Sequence, residues 1–467
     1  MPLSQDALDR PPLNHADAAN TVNAADAADA GTHAEPLEAS PRDVLKRVVS
    51  ASLVTAFEMF DFTVFGYFAA MIGAKFFPAS DPMTSLLLAV GTFGVGFFMR
   101  PLGALALGAY ADRVGRRVAL TRTVWLAGLG TAAIALCPDY ATIGVAAPLV
   151  VVLARALQGF ALGGDIGVAA AYLLEAGPAS RRGARLNWQI ASQGAAALLG
   201  AVFGLVLTHR LSPQALEAWG WRVPFWFGLL VLPVGVYLRS RLHDIDDIGN
   251  KGDTRDTPRE PLAPAAPPFV ELWREHGRTL GLAMLMVMGQ TIPVYAIVYF
   301  MPSYVIRVMH LPASTGFAVS ALSALLLFAL PPFVGRLLDR LPRRKPVALA
   351  GIAATTLLST PVFLLIDNVR SLPAMLVGVG LISVSMTFSA GTVALLVLEA
   401  LPARVRASGL ALAYALSVAL FGGTAQFIVT ALVKWSGNPL AAAWYVTPAC
   451  CVSLCAVALF KERREEG

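Results

Sequence analysis

The stretch Gly108-Ala109-Tyr110-Ala111-Asp112-Arg113-Val114-Gly115-Arg116-Arg117 returns 227 residues later as Gly335-Arg336-Leu337-Leu338-Asp339-Arg340-Leu341-Pro342-Arg343-Arg344. Each copy joins two long apolar runs and combines an early Gly, an Asp-Arg pair and a terminal Arg-Arg. A second pair of stretches, EAGPASRRG from Glu175 to Gly183 and EALPARVRASG from Glu399 to Gly409, recurs at an offset of about 224 residues. Two independent patterns at nearly one offset predict two homologous halves.

Working outward from these copies, the chain is a series of apolar segments. Of its 467 residues, 56% are hydrophobic and 14% charged, and the mean hydropathy is +0.64. Soluble domains carry about 25% charged residues. This composition excludes a cytosolic enzyme, a nucleic-acid binder and a disordered protein, and leaves a polytopic membrane protein. About 20 apolar residues cross a hydrocarbon core. Twelve spans are predicted, at 46–76, 83–110, 118–137, 142–174, 184–208, 222–240, 278–303, 312–338, 346–366, 372–398, 404–433 and 440–460. They are numbered 1 to 12 below.

Residues 1–43 are rich in Ala, Asp, Asn and Pro without an apolar period and read as a disordered cytoplasmic tail. A secretory signal would start basic and turn apolar at once; here the start is acidic. The connection 241–277 mixes both charge signs with Pro and Gly and reads as a cytoplasmic linker between a bundle at 44–240 and a second at 278–460, with 461–467 as a short tail. Alternate connections hold the basic clusters (Arg113, Arg116, Arg117 and Arg122; Arg181, Arg182 and Arg185; Arg340, Arg343, Arg344 and Lys345; Arg404 and Arg406; Lys461, Arg463 and Arg464). Cytoplasmic loops carry such excess, so both termini are predicted inside. Cys137, Cys450, Cys451 and Cys455 lie in apolar runs without metal-ligand spacing and read as small packing residues.

The sequence G-x-x-x-D-R-x-G-R-R between spans 2 and 3, with its second copy, resembles the loop motif of the major facilitator superfamily. The second copy departs by placing Pro342 where the motif has Gly. Within that superfamily the chain is similar to the metabolite–proton symporters: Glu58-Met59-Phe60-Asp61-Phe62 in span 1, Arg100-Pro101-Leu102-Gly103, the set Arg155, Gln158, Gly159, Gly163 and Gly164, and the run Trp219 to Phe225 match their motifs. It looks most like the citrate and tricarballylate branch, through FEMFDFTVFGYFA, WQIASQ and LFGGTAQFIVTALVKWSG; Asp165 stands where the family more often has Glu. The resemblance implies an all-α membrane fold of two six-helix bundles and import of a small organic anion with protons across a bacterial inner membrane.

Ionisable groups at membrane depth are functional candidates. Asp61 lies about 15 residues into span 1, roughly 22 Å along a helix, and Arg155 lies about 13 residues into span 4. Both fall near the midplane, where an unpaired charge is costly. The expectation is that they face one cavity, with Asp61 as the coupling acid, Glu58 sharing the proton, and Arg155 gripping a carboxylate through two parallel bonds. The alternative is a permanent ion pair between spans 1 and 4. Arg100, Arg406, Gln158, Gln189, Gln193 and Tyr414 are further substrate candidates. Arg100 could instead serve packing or gating, Arg406 topology, and the glutamines helix association. Gln290, Tyr295, Tyr299, Gln426 and the Ser/Thr set from Ser383 to Thr392 are weaker candidates.

The loop motif has a mechanical reading. Asp112 and Asp339 can cap neighbouring helix ends, and the arginines can bridge to Glu175 and Glu399. The gating candidates are Gly108, Asp112, Arg113, Arg116, Arg117 and Glu175, and in the second half Asp339, Arg340, Arg343, Glu399 and Arg404. No metal site, cofactor or catalytic residue is expected; the proton is the coupling ion, and a monomer in the lipid bilayer is the expected form. The GGD stretch at Gly163 lacks the Lys-Ser/Thr of a phosphate loop. A drug–proton antiporter fits less well because span 5 has no Gly-Pro element. An osmolyte symporter would be expected to continue into a long C-terminal coiled coil. A membrane enzyme or sensor would need a nucleophile, metal cluster or signalling domain.

Overall fold

In hydrocarbon a peptide group has to be satisfied within its own segment or a closed barrel, and this chain uses helices. The computed structural model describes residues 59–114, 116–163, 181–229, 268–402 and 406–462, with Ser52, Ala56 and Phe57. Among the described residues there is no strand. Nine helices there are long and apolar enough to cross a membrane, and Met59–Tyr67 with Ala69–Phe76 forms a tenth span bent by 71°. Span 3 is the helix Arg116–Leu136. Span 6 begins as residues 223–229 and then leaves the described part.

The termini of several spans differ from the hydropathy reading for local reasons. Span 4 is split: Asp139 caps a single turn, Tyr140–Ile143, Gly144 turns the chain with φ 59°, and the helix proper is Ala146–Gly163. The helix that carries span 7 starts at Pro268, inside the stretch read as linker, and kinks at His276 beside Gly277, while the part apolar enough to cross a membrane runs Trp273–Tyr299. Proline in a first turn lacks only an N–H that would have had no helical partner, and the polar but breaker-free run after it extends the helix. Spans 7 and 11 each widen into a π turn, Val294–Tyr299 and Val418–Gly422. Such turns frequently mark functional positions.

The outer surface is apolar. Leu105, Trp125, Leu357 and Trp435 are 70%, 65%, 74% and 80% exposed, whereas Arg100 and Arg155 are 2% and 0% exposed. That inversion suits a lipid surround, where burying a large apolar side chain gains little. Small residues set the helix spacing. A side chain on Gly159 would run into the carbonyl of Gly96, so spans 2 and 4 meet backbone to backbone and bring Arg100 and Arg155 together. Between the halves, a Cβ on Gly194 of span 5 would lie 2.5 Å from the Leu327–Phe328 backbone of span 8, and one on Gly94 of span 2 would lie 2.9 Å from the Gly423 carbonyl of span 11.

Candidate functional site

A cavity of about 150 Å³ lies between the two halves. A cavity of that order has room for a benzene-sized molecule. Spans 1, 2, 5, 7, 8, 10 and 11 line it, and its polar groups are Arg100, Gln189, Gln193, Gln290, Thr291, Tyr295, Tyr299 and Tyr414. Arg100 is the one charged side chain among the described residues that line it. Its guanidinium lies 4.1 Å from the ring centroid of Phe97 and 4.6 Å from that of Phe62. The Tyr414 hydroxyl reaches across to Gln193 of the other half. The π turns of spans 7 and 11 flank this lining, which brings Tyr295, Tyr299 and Tyr414 to one wall.

At the end of the cavity remote from the basic clusters, side chains of the two halves meet. The Tyr299 ring lies tilted against Tyr67 at 6.0 Å between centroids, and Tyr67 meets Phe317 edge-on at 6.3 Å. Farther out, Arg307 Nη2 donates to the Ala70 carbonyl at 3.2 Å, and Lys434 Nζ stands 3.3 Å from Asp81 Oδ2. Both contacts cross between the halves. Asp81 also accepts from the amide and hydroxyl of Thr84. These Thr84 hydrogen bonds, with Lys434, hold the Asp81 carboxyl down at about 2.

Asp61 and Arg155 are arranged differently from the sequence expectation. Neither lines the cavity, and among the described residues no ion pair joins them directly. They are linked by two neutral side chains. Arg155 Nη1 donates to Gln158 Oε1 at 2.8 Å, and Gln158 Nε2 donates to Thr131 Oγ1 at 2.9 Å. Thr131 in turn donates to Asp61 Oδ2. Arg155 also sits over Phe62 and Phe65, at 3.9 and 4.5 Å from their centroids. Helical rotation explains the correction. Met59 points into the cavity, and two residues on, at about 100° per residue, Asp61 has turned to the opposite face, towards Thr131 and Gly228. Arg155 and Gln158, read as substrate ligands, are thus screened from the cavity by the aromatic layer.

Other expectations sort as follows. Arg100, Gln189, Gln193 and Tyr414 do line the cavity, as do Gln290, Tyr295 and Tyr299. Gln426 is buried but outside that lining. Ser383 and Thr392 return their hydroxyls to their own helix, at Val379 and Phe388, as helix-packing residues do. Asp339 accepts from the amides of Gly183 and Ala184 at 2.7 and 3.0 Å, capping span 5 of the opposite half. Glu399 pairs with Arg344, not with Arg340 or Arg343, whose positions are exposed together with that of Arg113. Glu58, Glu175 and Arg404 lie outside the described residues, as do the side chains of Asp112, Arg116, Arg117 and Arg406; for Gly108 only the helical backbone is described. Sequence reading missed Thr131, whose only signal is a lone hydroxyl in the small apolar run GLGTAAIAL at the depth of Asp61.

With this geometry in place, comparison adds relatives. The family model described as Major Facilitator Superfamily matches residues 51–425. A citrate-proton symporter of Klebsiella pneumoniae is 35% identical over 418 residues, with 89% of this chain and 91% of that protein covered. A proline/betaine transporter of Escherichia coli (strain K12) is 30% identical over 419 residues, covering 89% and 83%. In fold, the crystal structure of a D-xylose-proton symporter aligns with a TM-score of 0.69 at 14% identity, over 90% of this chain and 97% of that one.

Proposed function

The chain belongs to the Major Facilitator Superfamily, and from that premise we propose that it imports a small organic anion by proton symport through alternating access. The substrate is a di- or tricarboxylate of the citrate or tricarballylate type. The observation that carries this is Arg100, the one charged group among the described cavity residues. A fixed guanidinium surrounded by tyrosine and glutamine donors attracts an anion and offers a carboxylate paired hydrogen bonds. Tyr295, Tyr299, Tyr414, Gln193 and Gln290 supply neutral donors for the remaining oxygens.

Asp61 carries the coupling proton, with Glu58, three positions earlier in the sequence, sharing it. The basic clusters face the cytoplasm of a bacterium, both termini lie inside, and the monomer sits in the inner membrane as two bundles, the second entered through the helix that starts at Pro268. The contacts of Tyr299, Tyr67 and Phe317 between the halves then lie on the outer side of the cavity. Asp339 on the span 5 terminus, with its first-half counterpart Asp112, holds the inner ends together in part of the cycle.

A second reading has a specific observation behind it. Three tyrosines on one wall could hold a quaternary ammonium by cation–π attraction, with Arg100 on the carboxylate of a betaine. Uptake of labelled citrate, tricarballylate, α-ketoglutarate, shikimate and betaine into vesicles under an imposed pH gradient separates the two. Preference for an organic acid is expected; preference for betaine overturns the anion reading.

A further inference from the structure

Asp61 and Arg155 communicate, yet no direct bond joins them. Thr131 has one hydroxyl hydrogen and two acceptors within reach: Asp61 Oδ2 and, at 3.1 Å, the carbonyl of Ala127. Its oxygen is held from the other side by Gln158 Nε2, and Gln158 Oε1 holds Arg155 Nη1. Both intermediates are buried, Gln158 at 1% and Thr131 at 0% exposure. Asp61 is faced by Thr131 from span 3, by Gly228 from span 6 and by the charge of Arg155 from span 4. Arg155 feels in addition the charge of Arg100 from span 2 and Tyr295 from span 7.

We infer that Thr131 and Gln158 are positioning residues that tie the protonation of Asp61 to the Arg155 guanidinium through a hydrogen-bond relay. The inference rests on the reading of Asp61 as the coupling acid and deepens it. With Asp61 ionised, Thr131 donates to it and the relay ends on a negative charge that balances Arg155. When a proton binds Asp61, the new O–H donates to Thr131 Oγ1 and the hydrogen of Thr131 turns to Ala127. One O–H bond forms on Asp61 and no other covalent bond changes. Gln158 stays in place, and the charge of Arg155 is no longer balanced. Arg100 and Arg155 both stand over Phe62, so this extra positive charge is felt in the cavity, where low dielectric strengthens it. Proton and anion then load together although the anion touches only Arg100.

The test uses the full chain in lipid nanodiscs and in proteoliposomes. Infrared titration follows the protonated-carboxyl band that disappears in Asp61→Asn, and it needs no substrate. In Thr131→Val the midpoint of that band is displaced by about one pH unit, because a donor to the carboxylate is removed, and Thr131→Ser restores it. In proteoliposomes the ratio of proton-driven accumulation to exchange falls about tenfold in Thr131→Val and recovers in Thr131→Ser. Gln158→Leu, which cuts the relay at its other joint, lowers the same ratio and serves if Thr131→Val does not fold. A band midpoint and an accumulation ratio unchanged in Thr131→Val overturn the relay alone. Absence of any Asp61-dependent band overturns the relay together with the coupling-acid reading.

Discussion

Arg100 and Arg155 share one aromatic ring: their guanidinium carbons stand 4.6 and 3.9 Å from the centroid of Phe62. One of them lines the cavity and the other is sealed behind the ring. Under the proposed function the two buried cations divide the work, Arg100 in substrate contact and Arg155 in proton coupling.

For Arg100 the consequence is a loss of affinity. Hydrogen bonds to a charged group are worth about 1.5–3 kcal/mol, so Arg100→Ala raises the KM for the preferred acid by roughly 10- to 100-fold. Arg100→Lys keeps the charge without the planar fork and falls between the two. A KM unchanged in Arg100→Ala would remove Arg100 from the binding site.

Asp61→Asn keeps the side-chain volume and can still accept from Thr131, but it cannot carry the proton. Concentrative uptake driven by a pH gradient disappears, while exchange of labelled for unlabelled substrate continues. Gradient-driven accumulation at the wild-type level would mean that the coupling acid lies elsewhere.

Asp339 joins the halves at the basic end through two amides of span 5. Asp339→Ala removes two charge-assisted hydrogen bonds and shifts the equilibrium between the two facing states by about tenfold or more towards opening there. Turnover changes while KM moves little. With Gln193→Cys as reporter, the Asp339→Ala protein labels faster from that end; equal labelling with and without Asp339→Ala would count against a gating role.

At the opposite end the Asp81–Lys434 contact has a definite pH sense. The Asp81 carboxyl, held at about 2 by Thr84 and Lys434, lies below its ordinary value of 3.8. Its contribution is therefore fully present above the ordinary value and is lost as pH falls through the lowered one. Acidification at that end from about pH 7 to 5 leaves this contact intact. Asp81→Asn raises the accessibility of the far end to a membrane-impermeant thiol reagent across that whole range. A wild-type accessibility that itself rose between those pH values would refute the assignment.

The residues differ in how far each was readable in one dimension. The repeated loop at Gly108 and Gly335, the apolar runs and the alternation of basic clusters required a polytopic helical protein in two related halves, because a bilayer imposes span length, internal backbone bonding and charge placement on each segment separately. The same spacing put Asp61 and Arg155 near one depth and marked Arg100, Gln193 and Tyr414 as polar groups in apolar surroundings. Depth along a helix follows from counting; direction around it does not. Whether Asp61 turned towards the cavity or towards Thr131, whether Arg155 or Arg100 lined the cavity, and that Asp339 would cap span 5 rather than its own half were decided by how the helices rotate and cross. That choice was made where glycines such as Gly159 and Gly194 admit a neighbouring backbone, through contacts between segments far apart in the chain.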